Sequence, residues 1–300
     1  MSKAALLEQA LFSSATIQQP HALKAYLAAQ YIYDELQDDA IWTQTAKLIQ
    51  QSELQHQYFF DVTQYSIEFS LQRIKNILRR GIYPASYIAL WQWYEQEGFK
   101  NIAEYYLGQA VEQNQYLSHD LTLLLAFSKL YPQLETTQIP VFLQRMTEFI
   151  TVTYKKEHQA ITINAVLQIE DGRLLDACLH QPSFFGHNLI TLAWLLRFEA
   201  DIGALQIQKL KYNLYCQATT QLEDPDDEID RVLFRQCQAI DQVDFLELLQ
   251  ALLFKHEHNL HQVTLADALL YLAQRYPSKI NELKQYMLYQ IQLCRKAVKH

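Results

Sequence analysis

Glycine and proline are scarce in this chain, with six and seven residues in 300. Little in the sequence can therefore break a helix or form the tight turns of a β-rich fold. With half the residues hydrophobic and Leu, Ala, Gln and Glu frequent, the composition points to an all-α protein. Cysteine is also sparse. Cys178, Cys216, Cys237 and Cys294 lie far apart and form no CxxC pair, so they read as small core residues in a reducing compartment. Basic residues cluster only at Lys75–Arg80 and Arg295–Lys299, and the net charge is −8, which argues against a nucleic-acid partner. No apolar run approaches the ~18 residues of a spanning helix. No basic segment leads into an apolar run at the N-terminus, so no signal peptide is read. A soluble cytoplasmic protein away from membranes is the expectation. The chain contains no GxGxxG, P-loop, GxSxG or HExxH pattern.

Aromatic residues are plentiful: 19 Tyr and 14 Phe would fill gaps between helices and wall any cavity. The periodicity predicts helices over 3–12, from Pro20 to Leu36, over 40–52, over 58–80 ending at Gly81, and as a hairpin, 84–97 and 100–113, turning at Gly98. Further helices follow Ser118, Pro140 and Arg173, then run from His187 to about 203, over 204–222, 228–237, 244–255, 262–275 and 278–298. The architecture expected is antiparallel helical hairpins, solenoid-like or a large bundle, in one domain over 1–300. A soft boundary falls near 132–140. Glu53-Leu-Gln-His56 has the Glu-x-x-His spacing of di-iron bundles, but with no second copy it reads as a solvated turn. Glu223–Glu228 reads as a solvated acidic turn feeding the next helix.

Four helix starts share one pattern. His119, His158, His187 and His261 each precede a Thr three or four residues on (Thr122, Thr162, Thr191, Thr264) and then a helix too apolar for the surface. They lie 39, 29 and 74 residues apart, and the last interval is close to two steps of ~37, in the range of helical-hairpin repeats; if alternate helices line one inner surface, the N-termini would converge there. A lone His at such a start is usually a structural residue, and a Thr there back-bonds within the helix. Four together suit a polar pocket: imidazole ligates metals and moves protons, and helix N-termini favour an anion or an oxyanion. The helix field also keeps the imidazoles neutral. His158, His187, His261 and Thr191 are the candidate catalytic residues, with Thr162 and Thr264 in support and a small-molecule ligand expected. A metal-free acid–base site is preferred, because no carboxylate or thiolate sits at ligand spacing. Were a metal bound, His119, His158, His187 and His261 would hold it. Asn164, Asn188 and Asp267 lie within or beside these helices, and Asp267 either orients His261 or faces solvent. His119-Asp120 matches the central pair of HD-type phosphohydrolases, but Ser118 and Asp120 as caps explain it more simply.

The segments His158-Gln-Ala-Ile-Thr162, His187-Asn-Leu-Ile-Thr-Leu-Ala193 and His261-Gln-Val-Thr-Leu-Ala-Asp-Ala268 resemble the His-rich helix starts of the questin oxidase-like family. That resemblance implies an all-helical fold and NADPH-dependent oxidation of an aromatic, polyketide-like small molecule; no cofactor follows from a motif. Gly98 to Glu112, with Ala103 and Ala110 seven apart, resembles the second helix of a tetratricopeptide-type repeat. It implies the alternative, a non-catalytic helical scaffold binding a protein partner in a groove.

Overall fold

The computed structural model describes residues 1–14, 20–56, 59–155, 168–238, 243–257 and 259–297. It is all-α. The helices are α1 (Lys3–Leu11), α2 (His21–Leu36), α3 (Ala40–Ser52), α4 (Leu71–Arg80), α5 (Ala85–Gln113), α6 (His119–Leu130), α7 (Ile139–Thr153), α8 (Asp171–His180), α9 (His187–Arg197), α10 (Ala204–Thr219), α11 (Arg231–Gln236), α12 (Phe245–Phe254), α13 (His261–Arg275) and α14 (Ile280–Ala297). Among the described residues the only strand pairing joins Ser13–Ser14 to Leu54–Gln55. No helix is long and apolar enough to cross a membrane among those residues.

Among the described residues five helices are buried on nearly every side: α7, where Val141–Thr151 are all buried, and four others that form the ring described below. His21–Ala29 of α2, His119–Phe127 of α6, His187–Leu196 of α9 and Gln262–Leu270 of α13 are runs with no exposed residue. An all-buried helix has to be an inner helix. By contrast α4 buries only Ile74, Ile77 and Leu78, and α8 only Leu174, Leu175 and Cys178. The four inner helices other than α7 meet in a ring: α2 packs on α6 and α13, and α9 packs on α6 and α13.

They also run in the same direction. Lys24 and Thr122 meet three residues into α2 and α6. Ten residues into α9, the Arg197 guanidinium lies over Tyr31 of α2 at 4.0 Å and over Tyr271 of α13 at 4.7 Å. Near the far ends, Gln274 of α13 donates to Glu35 of α2 at 2.8 Å, and Lys129 of α6 lies 5.5 Å from the Phe198 ring just past α9. Sequence neighbours pack around this core, α1 and α3 on α2, α8 and α10 on α9, which is the expected hairpin construction. One hydrophobic cluster takes residues from Leu6 to Cys294.

Several local expectations need correction. Residues 59–70 are not helical: Asp61 accepts from the Thr63 N–H at 3.0 Å to make a 3-10 turn, and Gln144 pins the Phe60 backbone. Ser70 is the cap of α4, accepting from Arg73. Ser118 does not cap α6. It is left-handed (φ 50°), and its hydroxyl turns to Gln217 instead. Asp230, not the 223–228 acids, caps α11, while Asp224 caps its own short turn. The long helix α5 bends at Gly98, whose φ of 76° only glycine adopts easily, as the hairpin reading required.

Candidate functional site

Because the four ring helices are parallel, their N-termini gather at one end of the core. The first residue of each is a histidine: His21, His119, His187 and His261. Their rings touch. Centroids are 4.9 Å apart for His21–His119, 4.8 Å for His119–His187, 4.7 Å for His187–His261 and 5.2 Å for His21–His261. The Nε2 atoms point inward. His119 Nε2 lies 2.9 Å from His187 Nε2 and 3.4 Å from His21 Nε2. His261 Nε2 is buried with no hydrogen-bond partner.

Two of the outer ring nitrogens have hydrogen-bond acceptors, and a third faces a carboxylate. His187 Nδ1 donates to the Phe184 carbonyl, and His261 Nδ1 to Asn259 Oδ1 at 2.7 Å. His21 Nδ1 faces Glu53 Oε1 at 3.8 Å. A carbonyl only accepts, so neutral His187 carries its proton on Nδ1 and presents a lone pair at Nε2; His261 does the same. His119 then donates its Nε2 proton to His187 Nε2. Burial holds the His119, His187 and His261 pKa values down, His187 to about 3, with the neighbouring imidazoles and Lys24 adding to it.

The loops that deliver His119 and His187 are strained. Leu117 (φ 65°) and Ser118 (φ 50°) precede His119; Ser183 (φ 63°), Phe185 (φ 45°) and Gly186 (φ 79°) precede His187. Positive φ at non-glycine residues costs of order 1–3 kcal/mol each and gathers at functional sites. Gly186 cannot be replaced freely, since a Cβ there would lie 2.7 Å from Leu265 Cδ1 and 3.1 Å from the Tyr286 ring. Phe184 stacks on His187 with centroids 5.7 Å apart, and Phe185 lies 6.0 Å from His261. Beside them is a cavity of about 180 Å³ lined by Phe184, Phe185, Tyr286, Tyr289 and Asp227.

Lys24, one turn into α2, is fully buried. Its ammonium donates to Thr122 Oγ1 at 3.4 Å. Burial lowers its pKa to about 7. The folded protein must therefore hold a buried ammonium below about pH 7, a cost that fades as pH rises from about 7 toward the ordinary 10.5. Replacing Lys24 with Met is expected to stabilise the metal-free protein, most at pH 6 and least above pH 10. Urea unfolding at the two pH values checks this; a gain that grows with pH would contradict it.

Of the candidates read from sequence, the structure brings His187, His261 and His119 together. His158, with Thr162 and Asn164, lies outside the described residues. The Thr residues take the structural role: Thr122 and Thr264 back-bond to Ser118 O and His261 O, both at 3.1 Å. Thr191 lines a small space beside Ser118, Asp120 and Leu214 on the α10 side. Asp267 neither orients His261 nor faces solvent. It is 1% exposed and makes two hydrogen bonds to Arg197. Asn188 donates to Gln181 O. Sequence reasoning missed His21, whose helix has Lys24 where α6 and α13 have Thr. It also misplaced Glu53, which is buried rather than solvated. Glu53 accepts from the Ala22 N–H at 3.0 Å at the start of α2, and burial raises its pKa to about 8. His56 bonds to Ser14 instead, at 2.7 Å.

Comparison with protein-family models, with curated proteins and with solved structures finds no match to this chain.

Proposed function

We propose that the four-histidine centre is a transition-metal site, and that the protein is an oxidoreductase acting on a hydrophobic, oxygenated small molecule of aromatic or polyketide-like type. One observation carries the metal reading: His119 Nε2 lies within 3.4 Å of both His21 Nε2 and His187 Nε2, and His261 Nε2 is buried beside these rings without a partner, while acceptors hold Nδ1 of His187 and His261 from outside. Outer partners of this kind fix the ligating tautomer in metal sites. Metal–nitrogen bonds of about 2.0–2.1 Å imply N–N edges of roughly 2.9–3.4 Å. The His119–His187 and His119–His21 separations of 2.9 and 3.4 Å fit those edges. Ligating atoms of His21, His119 and His261 lie within 4.8 Å of one another. The metal-free acid–base alternative uses one or two imidazoles and gives no reason for four to be gathered at one point.

An all-imidazole set suits Fe, Cu, Ni or Zn rather than Ca or Mg. A bound redox-active ion would supply electron-transfer and Lewis-acid chemistry. The chain's own part is to keep the imidazoles neutral by burial, to exclude water with Phe184 and Phe185, and to offer an aromatic-walled space beside the centre. The oxidative, aromatic-directed part of the proposal leans on the resemblance of the His187 and His261 helix starts to the questin oxidase-like family. NADPH enters through that resemblance alone.

The test is metal binding by the full chain stripped with chelator. Fe²⁺ under anaerobic conditions, Co²⁺, Cu²⁺ and Zn²⁺ are each titrated. One ion per chain is expected, with visible absorption bands for Co²⁺. The proposal fails if no ion binds, or if binding survives simultaneous replacement of His21, His119, His187 and His261.

A further inference from the structure

We infer that Asn259 is a positioning residue for the histidine centre: its side-chain oxygen locks His261 in the Nδ1–H tautomer and turns Nε2 inward. The amide orientation is settled by a second bond. Asn259 Oδ1 accepts the His261 backbone N–H at 3.0 Å as well as His261 Nδ1 at 2.7 Å. A backbone N–H only donates, so the atom that receives it is the oxygen, and the ring nitrogen it also meets must carry a proton.

Asn259 is itself held. Its N–H donates to Gln262 Oε1 at 2.9 Å. Gln262 is fully buried, and its amide donates to Leu252 O and His256 O, both at 2.7 Å. Gln44 of α3 donates to Leu253 O at 2.8 Å, and Lys47 pairs with Glu257 at 2.5 Å. Gln262 thus joins α13 to the end of α12, both Gln44 and Lys47 tie this region to α3, and the His261 ring inherits that rigidity. The consequence shows at the other nitrogen: His261 Nε2 is buried among its fellow imidazoles with no partner of its own. A plain helix-entry role for Asn259 would require only the backbone bond.

The tautomer claim stands on this geometry alone, whereas the claim about ligand strength rests on the metal reading. The experiment keeps them apart. Two-bond ¹H–¹⁵N spectra of the metal-free full chain at pH 7 report each imidazole tautomer, with His261 assigned through His261→Gln. His261 is expected as Nδ1–H in the parent and in Asn259→Asp, which keeps an acceptor. In Asn259→Ala it should become a mixture or shift to Nε2–H. Asn259→Gly, tolerant of the turn but without an acceptor, serves if the alanine variant fails to fold. An Nε2–H parent, or an unchanged tautomer without the acceptor, overturns the inference. In a parallel Co²⁺ titration, loss of the acceptor should weaken binding about 10–100-fold, as removal of outer partners does, while Asn259→Asp stays near the parent. If the parent binds no Co²⁺, the metal reading falls and the tautomer spectra still decide the role of Asn259.

Discussion

Replacing His119 with alanine is expected to lower metal affinity by at least about 100-fold, beyond the 10–100-fold lost with an outer partner. His119 is the shared neighbour of the centre, since its Nε2 lies within reach of both His21 Nε2 and His187 Nε2. Without it, His21 and His187 keep their places, fixed from outside by Glu53 and the Phe184 carbonyl, but the set loses the donor that links them. The stability cost should be modest, about 1–3 kcal/mol, because one ring and one internal hydrogen bond are lost while the apolar body of α6 stays packed. His187→Ala should behave alike in binding and cost more in stability, since the ring also holds the Phe184 carbonyl between the positive-φ residues Ser183 and Phe185. Isothermal titration with Co²⁺ and urea unfolding on the same samples separate the two effects. Metal affinity within a few-fold of the parent, with the fold intact, would remove His119 from the site.

The helix starts were readable because three of them pair a histidine with an unusually apolar helix, and a polar leader of a buried helix must find a partner. Convergence followed from the parallel arrangement of the four ring helices, which periodicity alone does not show. His21 lacks the Thr that follows the other three by three or four residues, and so falls outside that pattern. Thr122 and Thr264 turn out to serve their own helices by back-bonding. The better signal was a histidine opening a helix with no polar face. His21 opens one whose first nine residues are all buried, Lys24 among them. The tetrad's support was illegible for a different reason. Glu53 and Asn259 sit in turns, and polar turn residues look solvated until the long-range packing of α3 and α12 is known. The same limit hid the non-helical stretch before Leu71, where Gln144, far along the chain, holds the Phe60 backbone.

Asp267→Ala is expected to be the most destabilising single change away from the centre. Asp267 Oδ2 and Oδ1 receive Arg197 Nη1 and Nη2 at 2.8 and 2.6 Å, and the same guanidinium lies over Tyr31 and Tyr271. This one contact ties α2, α9 and α13 together a few turns beyond the histidines. Removing the carboxylate leaves a largely buried cation without its partner, which costs about 3–5 kcal/mol. At roughly 2–4 °C per kcal/mol for a chain of this size, the melting temperature should fall by about 6–20 °C. Arg197→Met should cost less, because burial already raises the Asp267 pKa and the orphaned carboxyl can take up a proton. Pairing Asp267→Leu with Arg197→Met should recover much of the loss, since two apolar side chains of similar volume leave no unpaired charge. Metal affinity should be unaffected in each variant below its melting temperature, because Asp267 lies six residues, ~9 Å, along α13 from His261. Calorimetry across the cycle and Co²⁺ titration at 15 °C test both halves. A double variant as unstable as Asp267→Ala would show that the pair is held for packing rather than charge, and a lost metal site would join Asp267 to the centre after all.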